Sequence, residues 1–300
     1  MKLLYLGTAA AEGLPASFCN CAICENARRV GGREVRSRAQ LLVDGELLID
    51  FPPDTYYHCL LHGLYLGRLH TLLVTHSHSD HWYPAGLSER LDIYQHGAEG
   101  LLDVYGNEAV LASYRRELCP NEACERDMAR FVRVHVIRGG ESVRRGEWEI
   151  TAVPADHDPA EECLIYICKK GGKTLLYAHD TGIRLPPESW RLLAAQRFDV
   201  VSLDATTGRF PSSENHMGLG EAERFLARLR ELGSAGPGTR CILSHFSHNG
   251  CVTQSELERY CAPAACHPRP RRPGGGGVIC LASPQRKTFA LRVAIVENTG

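Results

Sequence analysis

Thr75-His76-Ser77-His78-Ser79-Asp80-His81 brings three imidazoles and a carboxylate together directly after the apolar run Leu72-Leu73-Val74. Imidazole nitrogen and carboxylate oxygen together suit borderline divalent ions such as Zn, Mn or Fe. Histidine has intermediate polarity and aspartate is seldom buried unpaired, so core packing does not account for the group. A loop that leaves a buried strand and folds these side chains toward one point does. A second constellation is Phe18-Cys19-Asn20-Cys21-Ala22-Ile23-Cys24. Three thiolates at this spacing can share a tetrahedral Zn, which needs one more ligand. Buried, idle cysteines are the plain alternative. A redox pair is a weaker one, because this C-x-x-C has no thioredoxin-like surroundings.

Such side chains need elements to hold them. Apolar runs predict strands over Lys2–Leu6, Ala39–Val43, Glu46–Ile49, Thr71–Thr75, Val132–Ile137, Trp148–Val153, Leu164–Lys169, Thr174–Ala178, Val200–Leu203 and Cys241–Ser244. Helices are predicted over Cys21–Val30, Asp54–Leu64, Glu108–Glu117, Pro187–Ala195, Leu219–Leu232 and Gln254–Tyr260. Leu219–Leu232 is the clearest, with Ala222, Phe225, Leu226, Leu229 and Leu232 on one face at helical spacing. Many strands interleaved with helices predict an α/β layered architecture. Gly97–Gly140 carries no readable motif and is a candidate substrate lid.

The chain has 300 residues, long enough for one large domain, with 44% apolar and 23% charged residues. We expect residues 1–262 to form a hydrolase domain. Residues 263–300, rich in Pro, Arg and Gly, read as a tail of low order in which Val278–Leu281 and Phe289–Val296 keep strand composition. The formal net charge of −1 argues against nucleic acid or an anionic membrane as the main partner. No apolar run reaches the roughly 20 residues of a membrane span. The apolar start Leu3-Leu4-Tyr5-Leu6 is too short for a secretion signal. Thirteen cysteines, an odd count without an export signal, predict reduced thiols and a cytoplasmic protein.

His76-x-His78-x-Asp80-His81 after a strand resembles the metallo-β-lactamase superfamily. The resemblance implies a four-layer αββα fold and two adjacent divalent ions, Zn or Mn. One would be held mainly by His76 and His78, the other by Asp80 and His81. It also implies a later His, a bridging Asp and a last His at strand ends. Val153-Pro154-Ala155-Asp156-His157, Tyr177-Ala178-His179-Asp180 and Leu243-Ser244-His245 offer His157, Asp180 and His245 in that order. His179 is given a supporting role. Within the superfamily, Gly7-Thr8-Ala9-Ala10-Ala11-Glu12-Gly13-Leu14-Pro15 followed by the cysteine cluster resembles the phosphodiesterases of bacterial phosphonate breakdown. That likeness implies a structural Zn held by Cys19, Cys21, Cys24 and His248, and a homodimer. It also implies a general acid at His216, in Glu214-Asn215-His216-Met217-Gly218, with Asp80 catalytic as well as ligating.

The expected activity is therefore hydrolysis of a small cyclic phosphate or related phosphodiester by metal-activated water. A tRNase Z-type nuclease, which usually grips RNA with an extended basic arm, is an alternative, as is a lactone, thioester or β-lactam hydrolase. The relative in pyrroloquinoline quinone biosynthesis shares the cysteine cluster but lacks the full H-x-H-x-D-H set. A non-catalytic metal-sensing module is the reading from a different class.

Overall fold

The fold is seen in a computed structural model, which describes residues 1–211, 214–262, 279–281 and 294–295. The strands are β1 (Lys2–Gly7), β2 (Gln40–Val43), β3 (Leu47–Ile49), β4 (Thr71–Leu73), β5 (Leu102–Gly106), β6 (Val132–Val136), β7 (Ser142–Arg145), β8 (Trp148–Pro154), β9 (Leu164–Lys170), β10 (Lys173–Ala178), β11 (Val200–Asp204), β12 (Arg240–Ser244), β13 (Ile279–Leu281) and β14 (Ala294–Ile295). The helices are α1 (Ala22–Val30), α2 (Thr55–His62), α3 (Glu108–Leu118), α4 (Glu122–Met128), α5 (Pro187–Ala194), α6 (Leu219–Glu231) and α7 (Gln254–Cys261). One sheet runs β14-β1-β2-β3-β4-β5-β6, the other β13-β12-β11-β10-β9-β8-β7.

Side chains on successive strand residues point to opposite faces, and here both faces are covered. Leu41, Val43, Leu47, Ile49 and Leu73 point between the sheets, against Ile150, Leu164, Tyr166, Leu175 and Tyr177. Their neighbours Leu42, Leu48, Leu72 and Val74 point outward, into a core shared with Val110, Tyr114 and Met128 of α3 and α4. On the other sheet Ile165, Ile167, Leu176, Val201 and Leu203 face Trp190 of α5 and Phe225, Leu226 and Leu229 of α6. Helix, sheet, sheet, helix is the four-layer αββα sandwich expected. The near-continuous apolar runs follow from burial on both faces.

Three elements escaped the sequence reading: β5, β7 and α4. The segment 97–140 is not a lid. It builds β5, β6, α3 and α4, and none of its residues lines the central cavity. The tail expected over 263–300 lies mostly outside the described residues. Within it, β13 runs parallel to β12 and β14 antiparallel to β1, both as edge strands. No helix among the described residues is long and apolar enough to cross a membrane.

Candidate metal centre

The histidine-rich loop follows β4, while His157 follows β8, Asp180 follows β10 and His245 follows β12, all at one end of the sandwich. Strands β10, β11 and β12 are parallel, so their C-terminal ends deliver side chains to the same place. Asp180 (φ 47°) and His245 (φ 62°) leave their strands in the left-handed region, as does Asp50 (φ 65°) at the end of β3. Such backbone costs on the order of 1–3 kcal/mol for a non-glycine residue and gathers at functional sites. Here it turns three side chains abruptly into the centre.

Two groups form. The ligand atoms of His76, His78 and His157 lie within 4.8 Å of one another, as do those of Asp80, His81, Asp180 and His245. Asp180 sits between them. Its Oδ2 is 2.7 Å from His81 Nε2, 3.5 Å from His76 Nε2 and 3.9 Å from His157 Nε2, and its Oδ1 is 3.1 Å from His245 Nδ1. The seven residues expected at the centre thus lie together. His179 is not among them: its Nε2 meets Ser202 Oγ at 2.8 Å, behind the centre.

Each of the five imidazoles is held by its outer nitrogen. His78 Nε2 donates to Asp158 (2.9 Å), His81 Nδ1 to Asp50 (2.9 Å) and His157 Nδ1 to the Asn215 carbonyl (3.1 Å). Thr75 Oγ1 donates to Asp50 and so accepts from His76 Nδ1 at 3.0 Å. Thr206 Oγ1, donating to Asp204, likewise accepts from His245 Nδ1 at 2.8 Å. With one nitrogen directed to its outer acceptor, the other is left to offer a lone pair inward to a cation. Those lone pairs face one another: His245 Nε2 and His81 Nε2 at 3.3 Å, His157 Nε2 and His78 Nδ1 at 3.4 Å. His76 Nε2 is buried without a hydrogen bond. Facing acceptors around buried carboxylates lack a positive charge, and divalent cations fit that donor set.

The electrostatics agree. Burial pulls the His81 ring down, but the carboxylates of Asp80, Asp50 and Asp180 overcome this and hold it well above its ordinary value. Burial would raise Asp180, yet His245 and His81 hold it well below the usual carboxylate range. His216 is buried enough to be pulled down, but hydrogen bonding to Asp180 and Asp204 carries it to about 11. Its Nδ1 is 3.1 Å from Asp180 Oδ1 and 3.4 Å from Asp204 Oδ2.

Sequence reasoning missed Asp50, Asp158, Glu161 and Asp204. Asp204 accepts from Asp180 N (3.1 Å), Thr206 N (3.0 Å) and Met217 N (2.9 Å), fixing three segments at once. Glu161 accepts from Ser77 N and Oγ and from Asn107, bracing the histidine loop. Asp50 and Asp204 each end an apolar run, the signal that found Asp180, but no neighbouring histidine marks them.

The cysteine cluster forms a third group: Cys19, Cys21, Cys24 and His248 lie within 4.8 Å of one another. His248 Nδ1 is 3.5 Å from Cys19 Sγ and 3.4 Å from Cys21 Sγ. Burial raises the Cys21 thiol, but hydrogen bonding from the Cys24 backbone and the His248 ring brings it down to about 6. Burial pushes Cys24 up to about 11. Four protein ligands would leave no open position, which suits a folding staple. Replacing Cys21 with serine is expected to remove about one Zn per chain and lower Tm by several degrees; metal analysis and a thermal melt check this. Unchanged zinc content would exclude the staple.

A cavity of about 560 Å³ opens over the centre, lined by His78, Asp80, His157, Asp180, His216 and His245. Its far wall is the Thr8–Glu12 turn, docked by Phe246 N donating to Thr8 O (2.9 Å) and Ala10 N to Phe246 O (3.0 Å). Buried Arg36, bonded to Thr8 Oγ1 and stacked over the Phe246 ring, locks that joint.

Residues 48–246, about two thirds of the chain, match the β-lactamase superfamily domain. Among solved structures, a diphosphatase of the PhnP family is similar at 22% identity and TM-score 0.66, covering 95% of both chains. Zn(2+)-bound PqqB from Methylobacterium extorquens is similar at 20% identity and TM-score 0.68, over 95% of this chain and 99% of that one. Human tRNase Z, short form, is similar at 16% identity and TM-score 0.61, over 97% of this chain and all of that one. At these identities the likeness is one of fold. A stretch of 122 residues is 32% identical to an octanoyltransferase of Porphyromonas gingivalis, covering 39% of this chain and 23% of that protein, less than a quarter of its length. The domain match and the two-sheet sandwich give one result: the chain belongs to the metallo-β-lactamase superfamily.

Proposed function

We propose that the chain is a dinuclear metal-dependent phosphodiesterase acting on a small cyclic phosphate or a related phosphodiester. The observation that carries this reading is the set of five imidazoles, each fixed at one nitrogen by an outer partner and gathered with the buried carboxylates of Asp80 and Asp180. His76, His78 and His157 would hold one divalent ion, Asp80, His81 and His245 the other, with Asp180 between them. When bound, such a pair supplies Lewis acidity toward a phosphoryl oxygen and a hydroxide source near neutral pH.

The rest is done by the chain's own groups. Asp158, Asp50, Asn215, Thr75 and Thr206 keep the ligand rings oriented, so little is reorganised during reaction. Asp204 and Asp180 hold the proton of His216 at Nδ1. The ring lines the cavity, where its other nitrogen can protonate a departing alkoxide. The cysteine group with His248 would carry a structural Zn. The odd count of thirteen cysteines suits a reducing compartment and supports the cytoplasm as the protein's location.

The test is a panel assay of Zn- or Mn-loaded protein on bis(p-nitrophenyl) phosphate, a 2′,3′-cyclic nucleotide, a lactone and a β-lactam. We expect turnover of the two phosphodiesters, abolished by chelation. Turnover confined to the lactone or β-lactam would overturn the reading.

A further inference from the structure

Beyond the side chains that would hold the central ions, the cavity wall carries a charge pattern of its own. Glu12 and Glu214 line it together with Thr207, Phe210, Ser247 and Asn249, and no lysine or arginine does among the described residues. Arg38, Arg184 and Arg209, whose partners lie on or beside this wall, are each already committed. Arg38 donates to Ala11 O and pairs with Asp54 at 3.0 Å, Arg184 pairs with Glu214 at 2.9 Å, and Arg209 pairs with Glu256 at 2.7 Å. Glu214 is therefore balanced.

Glu12 has no such cation. Its carboxylate accepts from the Ser247 hydroxyl and lies 3.4 Å from His248 Nε2. A phosphate is bound by guanidinium, ammonium or a cradle of N–H donors. This wall offers instead a carboxylate, hydroxyls and an amide, the partners of sugar-type hydroxyl groups. Phe210, half exposed, adds a flat apolar surface.

We propose that Glu12 makes the cavity selective for substrates whose group beyond the scissile phosphoryl is uncharged and hydroxyl-bearing, and that it rejects a second phosphate. The proposal rests on the phosphodiesterase reading for its substrate class, but binding tests it separately from turnover. Adenosine 3′-monophosphate and adenosine 3′,5′-bisphosphate are titrated calorimetrically into Mn-loaded protein freed of excess metal. Whichever phosphate of the bisphosphate meets the metals, the other must enter the cavity. We expect the monophosphate to bind at least tenfold more tightly, and Glu12→Gln to shrink that ratio at least threefold. Equal or tighter binding of the bisphosphate, binding of neither, or an unchanged ratio in well-folded Glu12→Gln overturns the proposal. The wild-type ratio stands on its own if the variant does not fold. A protein that shows the ratio yet hydrolyses no phosphodiester would refute the reaction class and leave the selectivity intact.

Discussion

Asp180→Ala is expected to strip metal from both histidine groups and to lower phosphodiester turnover by at least roughly a thousandfold, about 4 kcal/mol of barrier. No other side chain touches so much of the centre. One carboxylate oxygen is within 3.9 Å of ring nitrogens from His76, His81 and His157, and the other is 3.1 Å from His245 and from His216. Removing it takes away the shared acceptor and leaves lone pairs facing one another with less negative charge to attract a cation. The fold should survive, because His81 keeps Asp50 at 2.9 Å and Asp80 at 3.1 Å. Metal content per chain, turnover and a thermal melt are measured together. A folded variant that keeps two catalytic-site ions and its rate would contradict the bridging position.

The second large effect depends on the substrate. His216→Ala should cost roughly 10²–10⁴-fold on an ester with an alkoxide leaving group and little on a nitrophenyl ester, whose leaving group departs without a proton. His216 sits on the loop before α6, its Nδ1 turned to Asp180 and Asp204 and its ring at the cavity. Bound cations would share the charge of Asp180, leaving Asp204 as the partner that fixes the tautomer. Two other contacts keep this loop in place: Met217 N donates to Asp204, and Gly218 bridges to Gly208. Paired rates on a 2′,3′-cyclic nucleotide and on bis(p-nitrophenyl) phosphate read the difference. Equal losses on both would assign His216 a packing role only.

Much of this centre was legible because its residues are marked twice, by type and by place. His76, His78, Asp80 and His81 are contiguous, and the apolar run before them announced a buried strand. His157, Asp180 and His245 each close such a run. Asp50 and Asp204 satisfy the same positional rule, but a lone aspartate after a strand is ordinary in sequence. Only folding shows that Asp50 meets His81 and that Asp204 meets Thr206, His216 and the Asp180 backbone. Asp158 and Glu161 sit in a loop without periodicity, and their partners His78 and Ser77 are about 80 residues away, so no local pattern reveals them.

The fold was read for a related reason. Strands buried on both faces give runs of four or five apolar residues that stand out, as in Leu164–Cys168 and Leu175–Ala178. β5 was missed because Leu102–Gly106 carries Asp103 in its middle. That carboxylate is buried with His135 of β6 and Arg145 of β7, from the other sheet, paired to it. β7 was missed because Ser142–Arg145 is an edge strand with little apolar surface to bury.

Anomalous diffraction from crystals of the full chain grown with Mn and Zn measures the central claim most directly. Two peaks are predicted at the mouth of the sandwich, one against His76, His78 and His157 and one against Asp80, His81 and His245, both in contact with Asp180. A protein that holds no ion there, or holds its ions elsewhere, would contradict the account.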